Sequence, residues 1–194
     1  RVQAGSYAIP LDRVTRISTR NVSERHFVVV SVEDPDGRTG WGYCYAGTVA
    51  GPQVAGFITE ILGPELERLG DLNPVTAWAR LYQEVLLVGR RGLAIRALSA
   101  LDIALWDLRA RRAGMPLATL LGGDASAAIP AYASGGYYVE NSRDPVDYVR
   151  EEVLRNRELG FADHKIKVGG STLDGDAARV AAAIEAIDGT GRLA

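Results

Sequence analysis

The sequence holds one cysteine, Cys44, and two histidines in 194 residues. A single thiol cannot build an internal disulfide framework. Cys44 sits in an aromatic, strand-like stretch with neither histidine near it, so it reads as a small core residue and not as a nucleophile. A reducing cytosol is the compartment this leaves as the default. Long apolar runs are also missing. The longest, such as 27–30 and 85–88, fall far short of the ~20 residues that span a bilayer. The first ten residues contain no apolar h-region of a signal peptide. No basic run stands out and the net charge is −2, which argues against a nucleic-acid partner. Low-complexity segments are absent, as are repeats longer than one strand-helix unit. What is present is 47% apolar and 24% charged residues, an ordinary globular composition sufficient for one large domain or two small ones.

Taken in order, the chain opens with a strand-like segment near 2–10, then a polar stretch at 13–24 without clear period that reads as a loop. Residues 25–33 are rich in β-branched side chains and predict a strand. Asp34-Pro35-Asp36-Gly37 is a turn signal, because proline pre-sets one dihedral and glycine accepts a positive one. Residues 39–46 return as the second strand of a hairpin, and 47–52 form a glycine-flanked loop. A helical period starts at Pro52, with a break or restart expected at Pro64. Asn73-Pro74 caps the next helix, whose apolar set is Val75, Trp78, Leu81, Tyr82 and Val85. Residues 93–113 carry the strongest helical pattern, apolar on nearly every face, and therefore predict a helix buried between layers. Asp102 and Asp107 within it read as partners of a loop amide or an arginine.

After Leu121-Gly122-Gly123 the pattern changes. Strands are expected at 129–134 and 161–168, helices at 144–160 and 174–188, and a further strand from Arg192. In the second helix Val180, Ala181, Ile184 and Ile187 are the expected apolar side chains. A β-α repeat of this kind predicts a parallel sheet. The expected organisation is an α+β domain over 1–125 and the first β/α units of a barrel over 126–194. Only about seventy residues are available to a barrel that needs roughly 250, so the chain reads as the first part of something larger.

One stretch carries the chemistry. In His164-Lys165-Ile166-Lys167-Val168-Gly169-Gly170 the alternation of a strand puts Lys165 and Lys167 on one face, with Ile166 and Val168 buried on the other. Two adjacent ammonium groups repel. Either the face is simply solvated, or the site favours an uncharged lysine amine, as a second cation, burial or a metal ion would.

Four fragments decide between these readings: 97–107 (Ala-Leu-Ser-Ala-Leu-Asp-Ile-Ala-Leu-Trp-Asp), Gly114-Met115-Pro116-Leu117, Leu120-Leu121-Gly122-Gly123, and Lys165-Ile166-Lys167. In this order and spacing, after a hairpin-plus-helices domain, they resemble the mandelate racemase/muconate lactonizing enzyme branch of the enolase superfamily. The resemblance implies an α+β capping domain over the open end of a modified TIM barrel, with the Lys-x-Lys pair ending the second barrel strand. It implies that Lys167 takes the proton α to a substrate carboxylate. Lys165 would sit beside that carboxylate and favour the neutral form of Lys167. Ser134, ending the first barrel strand, would touch the carboxylate, although a serine opening the turn at Gly135-Gly136 reads equally well as structural. Tyr45, and with it Tyr43, would wall a substrate loop, with structural packing as the other reading. The loops at 13–24 and 46–52 would close over the substrate. The resemblance further implies Mg2+, with carboxylate ligands and a second acid/base all expected beyond Ala194. It also implies a small-molecule carboxylate substrate and a homo-oligomer. The Gly135-Gly136-Tyr137-Tyr138 run resembles tartrate-type dehydratases, which favours dehydration or racemisation of a sugar acid. A cycloisomerase or dipeptide epimerase of the same superfamily, and a non-catalytic relative, stay open. This chain alone is expected to be inactive.

Overall fold

The computed structural model describes residues 1–17, 20–70, 72–139 and 143–194. Two compact units emerge: residues 1–10 with 24–127, and residues 11–23 with 128–194.

In the first unit, β2 (Arg20–Glu33) and β3 (Thr39–Tyr45) form the expected hairpin. Their antiparallel register runs from Phe27 opposite Tyr45 to Glu33 opposite Thr39. At the turn the Gly37 amide donates to the Asp34 carbonyl at 3.1 Å, and Gly37 takes φ 79°. β1 (Val2–Ile17) flanks β2 in the sheet. The polar stretch 13–24, expected as a loop, is instead strand on either side of Ser18 and Thr19, which lie outside the described residues. Thr15 and Val22 turn inward there while their neighbours are exposed. Ladder hydrogen bonds hold such a ribbon without the apolar alternation that marks a half-buried strand.

Helices cover the sheet. α1 (Gly51–Phe57) runs into a π-helical segment (Ile58–Leu62) and then into α2 (Gly63–Leu69). The break expected at Pro64 is therefore absorbed without stopping the chain direction. The Gly63 amide bonds back to the Ile58 carbonyl, and Pro64 falls in the first turn of the next segment, where its missing N–H costs nothing. α3 (Pro74–Glu84) starts at Asn73, whose side chain accepts from the Val75 and Thr76 amides. Its buried face is Pro74, Ala77 and Leu81. Val75, expected inward, is 64% exposed, because it sits beside the cap on the far side of the first turn.

α4 (Leu93–Ala113) is the centre of this unit. Ala97, Leu98, Ala100, Leu101, Ala104, Leu105 and Leu108 are all buried, together with Val28, Val30 and Val32 of β2 and Ile58, Leu62 and Leu66 of the α1–α2 run. It lies against β3 at backbone distance. A Cβ on Gly42 would stand 2.1 Å from the Ala100 carbonyl oxygen, and one on Gly40 2.2 Å from that of Ala104. Two glycines on one strand face meet two alanines one helical turn apart. Asp107 accepts from Arg111 Nε at 2.7 Å, the arginine partner expected of it, and from the Trp41 amide at 2.8 Å, which belongs to strand β3 and not to a loop. A short helix, α5 (Leu117–Leu120), closes the unit.

In the second unit, β4 (Tyr132–Ser134) and β6 (Asp163–Lys165) pair in parallel, with Tyr132 opposite Asp163 and Ser134 opposite Lys165. Both strands are shorter than expected. Ile129 is 82% exposed and Val168 61% exposed, so neither belongs to the core. A third parallel strand begins where Leu193 bridges His164. Arg192 anchors it to Asp163 through its backbone amide at 2.9 Å and its guanidinium, which comes within 2.6 Å. β5 (Tyr138–Val139) pairs antiparallel with β1, Thr15 opposite Val139. α6 (Pro145–Glu158) is capped by Asp144, which accepts from the Val146 and Asp147 amides. α7 (Leu173–Ile187) completes the layer over a core of Val149, Val153, Ile166, Ala183, Ala186 and Ile187. The buried face of α7 differs from the expected one: Ile184 is 57% exposed, and Asp176 and Arg179 are buried in line with Ala183 and Ala186.

Candidate active site

The site is assembled where β4 and β6 end. Ser134 and Lys165 are the last residues of the two strands and sit opposite one another in the ladder. Paired residues of a parallel ladder project to the same side, so their side chains share a face. The Gly135 amide donates to the Lys165 carbonyl at 2.8 Å and extends the pairing one step further. On the opposite face His164 and Ile166 are buried. His164 Nδ1 donates to the Ala162 carbonyl at 3.0 Å. The lysines are half-buried. Lys167 lies beyond the last ladder residue, and its Nζ stands 5.5 Å from the ring centroid of Tyr137, within cation–π range.

Two glycines let the post-strand loops touch. A Cβ on Gly136, which has φ +64°, would lie 2.5 Å from Ile166 Cβ. One on Gly170 would lie 2.5 Å from the ring of Tyr138. Behind them is a polar cluster on α7. Arg179, only 1% exposed, donates to the carbonyls of Lys167 at 2.9 Å and Gly136 at 2.6 Å, and to Asp176 Oδ1 at 3.0 Å. Its guanidinium carbon stands 4.0 Å from the Tyr138 ring centroid. The Tyr138 hydroxyl donates to Asp176 Oδ1 at 2.5 Å and accepts from the Gly170 amide at 3.0 Å. Asp176 Oδ2 takes the Gly169 amide at 2.6 Å. Burial pushes the Asp176 carboxyl up, but the bonds from Tyr138, Gly169 and Arg179 outweigh it and hold it below the usual carboxylate range. Burial and the bond to Asp176 push the Tyr138 phenol up, so the proton stays on the tyrosine. Glu152 of α6 adds a support from outside, accepting from the Gly136 amide at 2.6 Å.

Of the four candidate residues, Ser134, Lys165 and Lys167 lie together in the second unit. Tyr45 belongs to the first. There its ring is 5.7 Å from that of Phe27 and lies under the Arg96 guanidinium, which also donates to the Tyr45 carbonyl. Tyr43 is 60% exposed on the same strand, two residues away. Cys44 between them packs against the core, and burial raises its thiol pKa, as a core role requires. A cavity of about 410 Å³ in the first unit, between Val2, Val32, Asp34 and Leu66, contains none of the four. Asp176, Arg179 and Tyr137 were not legible as site residues. An Asp and an Arg three apart on a helix usually form a solvated pair. The available signal was their alignment with the alanine face of α7.

Among the described residues no three His, Cys, Asp or Glu side chains converge as a metal site. No helix among the described residues is long and apolar enough to cross a membrane.

Residues 6–122 match the family model of the mandelate racemase/muconate lactonizing enzyme N-terminal domain. The chain belongs to that family. An arabinonate dehydratase from Saccharolobus solfataricus is 34% identical to it over 161 residues, 82% of this chain and 42% of the relative. A 3,6-anhydro-alpha-L-galactonate cycloisomerase from Streptomyces coelicolor is 35% identical over 188 residues, 94% of this chain and 49% of the relative. A racemase from Streptomyces coelicolor A3(2), solved with bound magnesium, superposes with a TM-score of 0.86 at 32% identity. That match covers 100% of this chain and 53% of the racemase. The mandelate racemase/muconate lactonizing chain described here thus spans about half the length of the relatives it matches. Within the family, its first unit is the N-terminal capping domain, and its relatives include sugar-acid dehydratases, cycloisomerases and a hydrophobic dipeptide epimerase.

Proposed function

We propose that the full-length protein abstracts the proton α to the carboxylate of a sugar acid and that Lys167 is the base. The observation that carries this reading is the register of Ser134 with Lys165 at the ends of two parallel strands, with Lys167 two residues further on. Active sites of (β/α) barrels are built from that end of the strands. The uncharged Lys167 amine accepts the proton from carbon and becomes an ammonium, and the electron pair moves onto the carboxylate as an enediolate. Lys165 and Ser134, side by side, bind the carboxylate oxygens, where the negative charge grows. Fixed donors in that position favour the transition state over the ground state. Tyr45 is proposed as a wall of the substrate pocket. Magnesium is proposed for the full-length protein on the strength of the racemase solved with it, with ligands other than the described residues of this chain. A homo-oligomer is proposed on the family resemblance, and a cytoplasmic location on the single cysteine.

Dehydration is the preferred outcome. The arabinonate dehydratase supports it, and so does the Gly135-Gly136-Tyr137-Tyr138 run. The β-hydroxyl would then leave as water, taking a proton from an acid, and the enol so formed would tautomerise to the 2-keto-3-deoxy acid. The cycloisomerase at comparable identity favours a second reading, in which the same enediolate closes or opens a ring. A panel of aldonic and aldaric acids, anhydro sugar acids, lactones and dipeptides, incubated with the full-length protein and magnesium, separates the possibilities. A 2-keto-3-deoxy product from an acyclic sugar acid is the expected result. Turnover of the lactones or anhydro acids alone selects the cycloisomerase. Turnover of the dipeptides alone selects an epimerase. No turnover, and no exchange of the α hydrogen with solvent, selects a non-catalytic relative.

A further inference from the structure

Lys167 is not held by the sheet. It lies beyond the last residue of β6, and its main-chain carbonyl is taken by a side chain from α7. That side chain, Arg179, spans three acceptors: the Lys167 and Gly136 carbonyls and Asp176 Oδ1. The first two belong to the loops that follow β6 and β4. Each loop is therefore fixed relative to the other through one planar guanidinium. Asp176 and Tyr138 take up the amides of Gly169 and Gly170, so the chain is gripped immediately after Lys167 as well.

A buried charge of this kind is an expensive way to hold a loop. An apolar side chain filling the same space often serves stability as well or better. Asp176 lies beside the guanidinium and balances its charge, so Arg179 brings little net field to the site. What the arrangement supplies is geometry. The guanidinium fork presents several donors in one plane, which an ammonium cannot reproduce. Errors of about 1 Å in the position of a reacting group cost on the order of 100-fold in rate.

We infer that Arg179 is a positioning residue for Lys167: through its bonds to the Lys167 and Gly136 carbonyls, locked by Asp176 and Tyr138, it sets where the lysine amine meets the substrate carbon. The inference rests on the proposed role of Lys167 as the base.

The test uses full-length protein with its turned-over substrate, unlabelled and deuterated at the α carbon. Arg179→Lys keeps the positive charge beside Asp176 and loses the fork. Tyr138→Phe removes only the hydroxyl that links Asp176 to Gly170, and it carries the test if Arg179→Lys does not fold. Rates are normalised to the folded fraction read by circular dichroism. For Arg179→Lys, kcat per folded molecule is expected to fall about 10- to 100-fold, with KM unchanged. The deuterium isotope effect on kcat should be at least as large as in the wild type, because proton transfer is the step made slower. Tyr138→Phe is expected to shift the same quantities in the same direction by a smaller factor. A merely structural role would lower the folded fraction and leave kcat per folded molecule alone. That result, or an isotope effect smaller than the wild type's, overturns the inference. Lys167→Ala is measured alongside. If it is inactive while Arg179→Lys behaves as wild type, the positioning role fails and the base assignment stands. If Lys167→Ala retains wild-type exchange of the α hydrogen, both fail.

Discussion

Asp34 holds the hairpin turn and the end of α4 together. Its side chain is fully buried, accepts from the Arg38 amide at 2.8 Å, and meets Arg112 Nε at 2.7 Å. Burial raises its pKa, but those bonds and the Arg112 charge outweigh it, so the carboxyl titrates below its ordinary range. A depressed folded-state pKa adds stability above the unfolded value of about 3.9, and that stability is lost as pH falls through the folded value. Asp34→Asn should therefore lower the melting temperature clearly at pH 7, and the gap to wild type should narrow below about pH 4. Thermal melts across pH check this; a gap independent of pH would show that the charge is not what matters. The turn at Asp34 was legible because proline and glycine punctuate the chain, whereas the partnership with Arg112 joins residues 78 positions apart and could not be read. The same holds at the site. Lys165 and Lys167 stand out by spacing, but the buried Asp176–Arg179 pair looks like any surface ion pair until α7 is placed. Ile184 and Val168, apolar by type, are exposed, and a charged pair takes the inner face instead.

At the scale of elements, α4 was the easiest to read, since four turns of apolar residues leave few alternatives. The way it seats on β3 was less visible. Gly40 and Gly42 alternate along one strand face, which in sequence suggests only a weak strand. Their purpose is contact with Ala100 and Ala104, close enough that no side chain fits. Gly42→Ala is expected to destabilise the protein by about 1–3 kcal/mol, the usual range for overpacking a tight core. Gly56→Ala, in α1 with no neighbour nearer than 3.8 Å, is expected to be neutral or stabilising by about 0.5–1 kcal/mol. Urea unfolding of the two variants checks the pair; equal effects would contradict the close approach. The strands near 13–24 were missed because paired ribbons need hydrogen bonds more than apolar alternation. The strands at 132–134 and 163–165 are shorter than the sequence pattern predicts, since the flanking apolar residues Ile129 and Val168 continue the pattern without joining the ladder.

For the whole molecule, the capping domain and the opening β/α units were legible from the order of elements and from four short motifs, and the family match over residues 6–122 agrees with the first of the two. The parallel pairing that sets Ser134 opposite Lys165 came from topology: alternating strands and helices leave a parallel sheet as the natural arrangement. What distinguishes a dehydratase from a cycloisomerase was not legible, because the lysine pair serves either outcome. The central claim is narrower, that Lys167 removes a hydrogen from the carbon next to a carboxylate. The direct measurement is exchange of that hydrogen in D2O, followed by proton NMR on a sugar acid the full-length protein turns over, for wild type and for folded Lys167→Ala. Deuterium is expected at the α carbon, or in the product derived from it, with wild type, and none above background with Lys167→Ala. Exchange at the wild-type rate in the variant would contradict it.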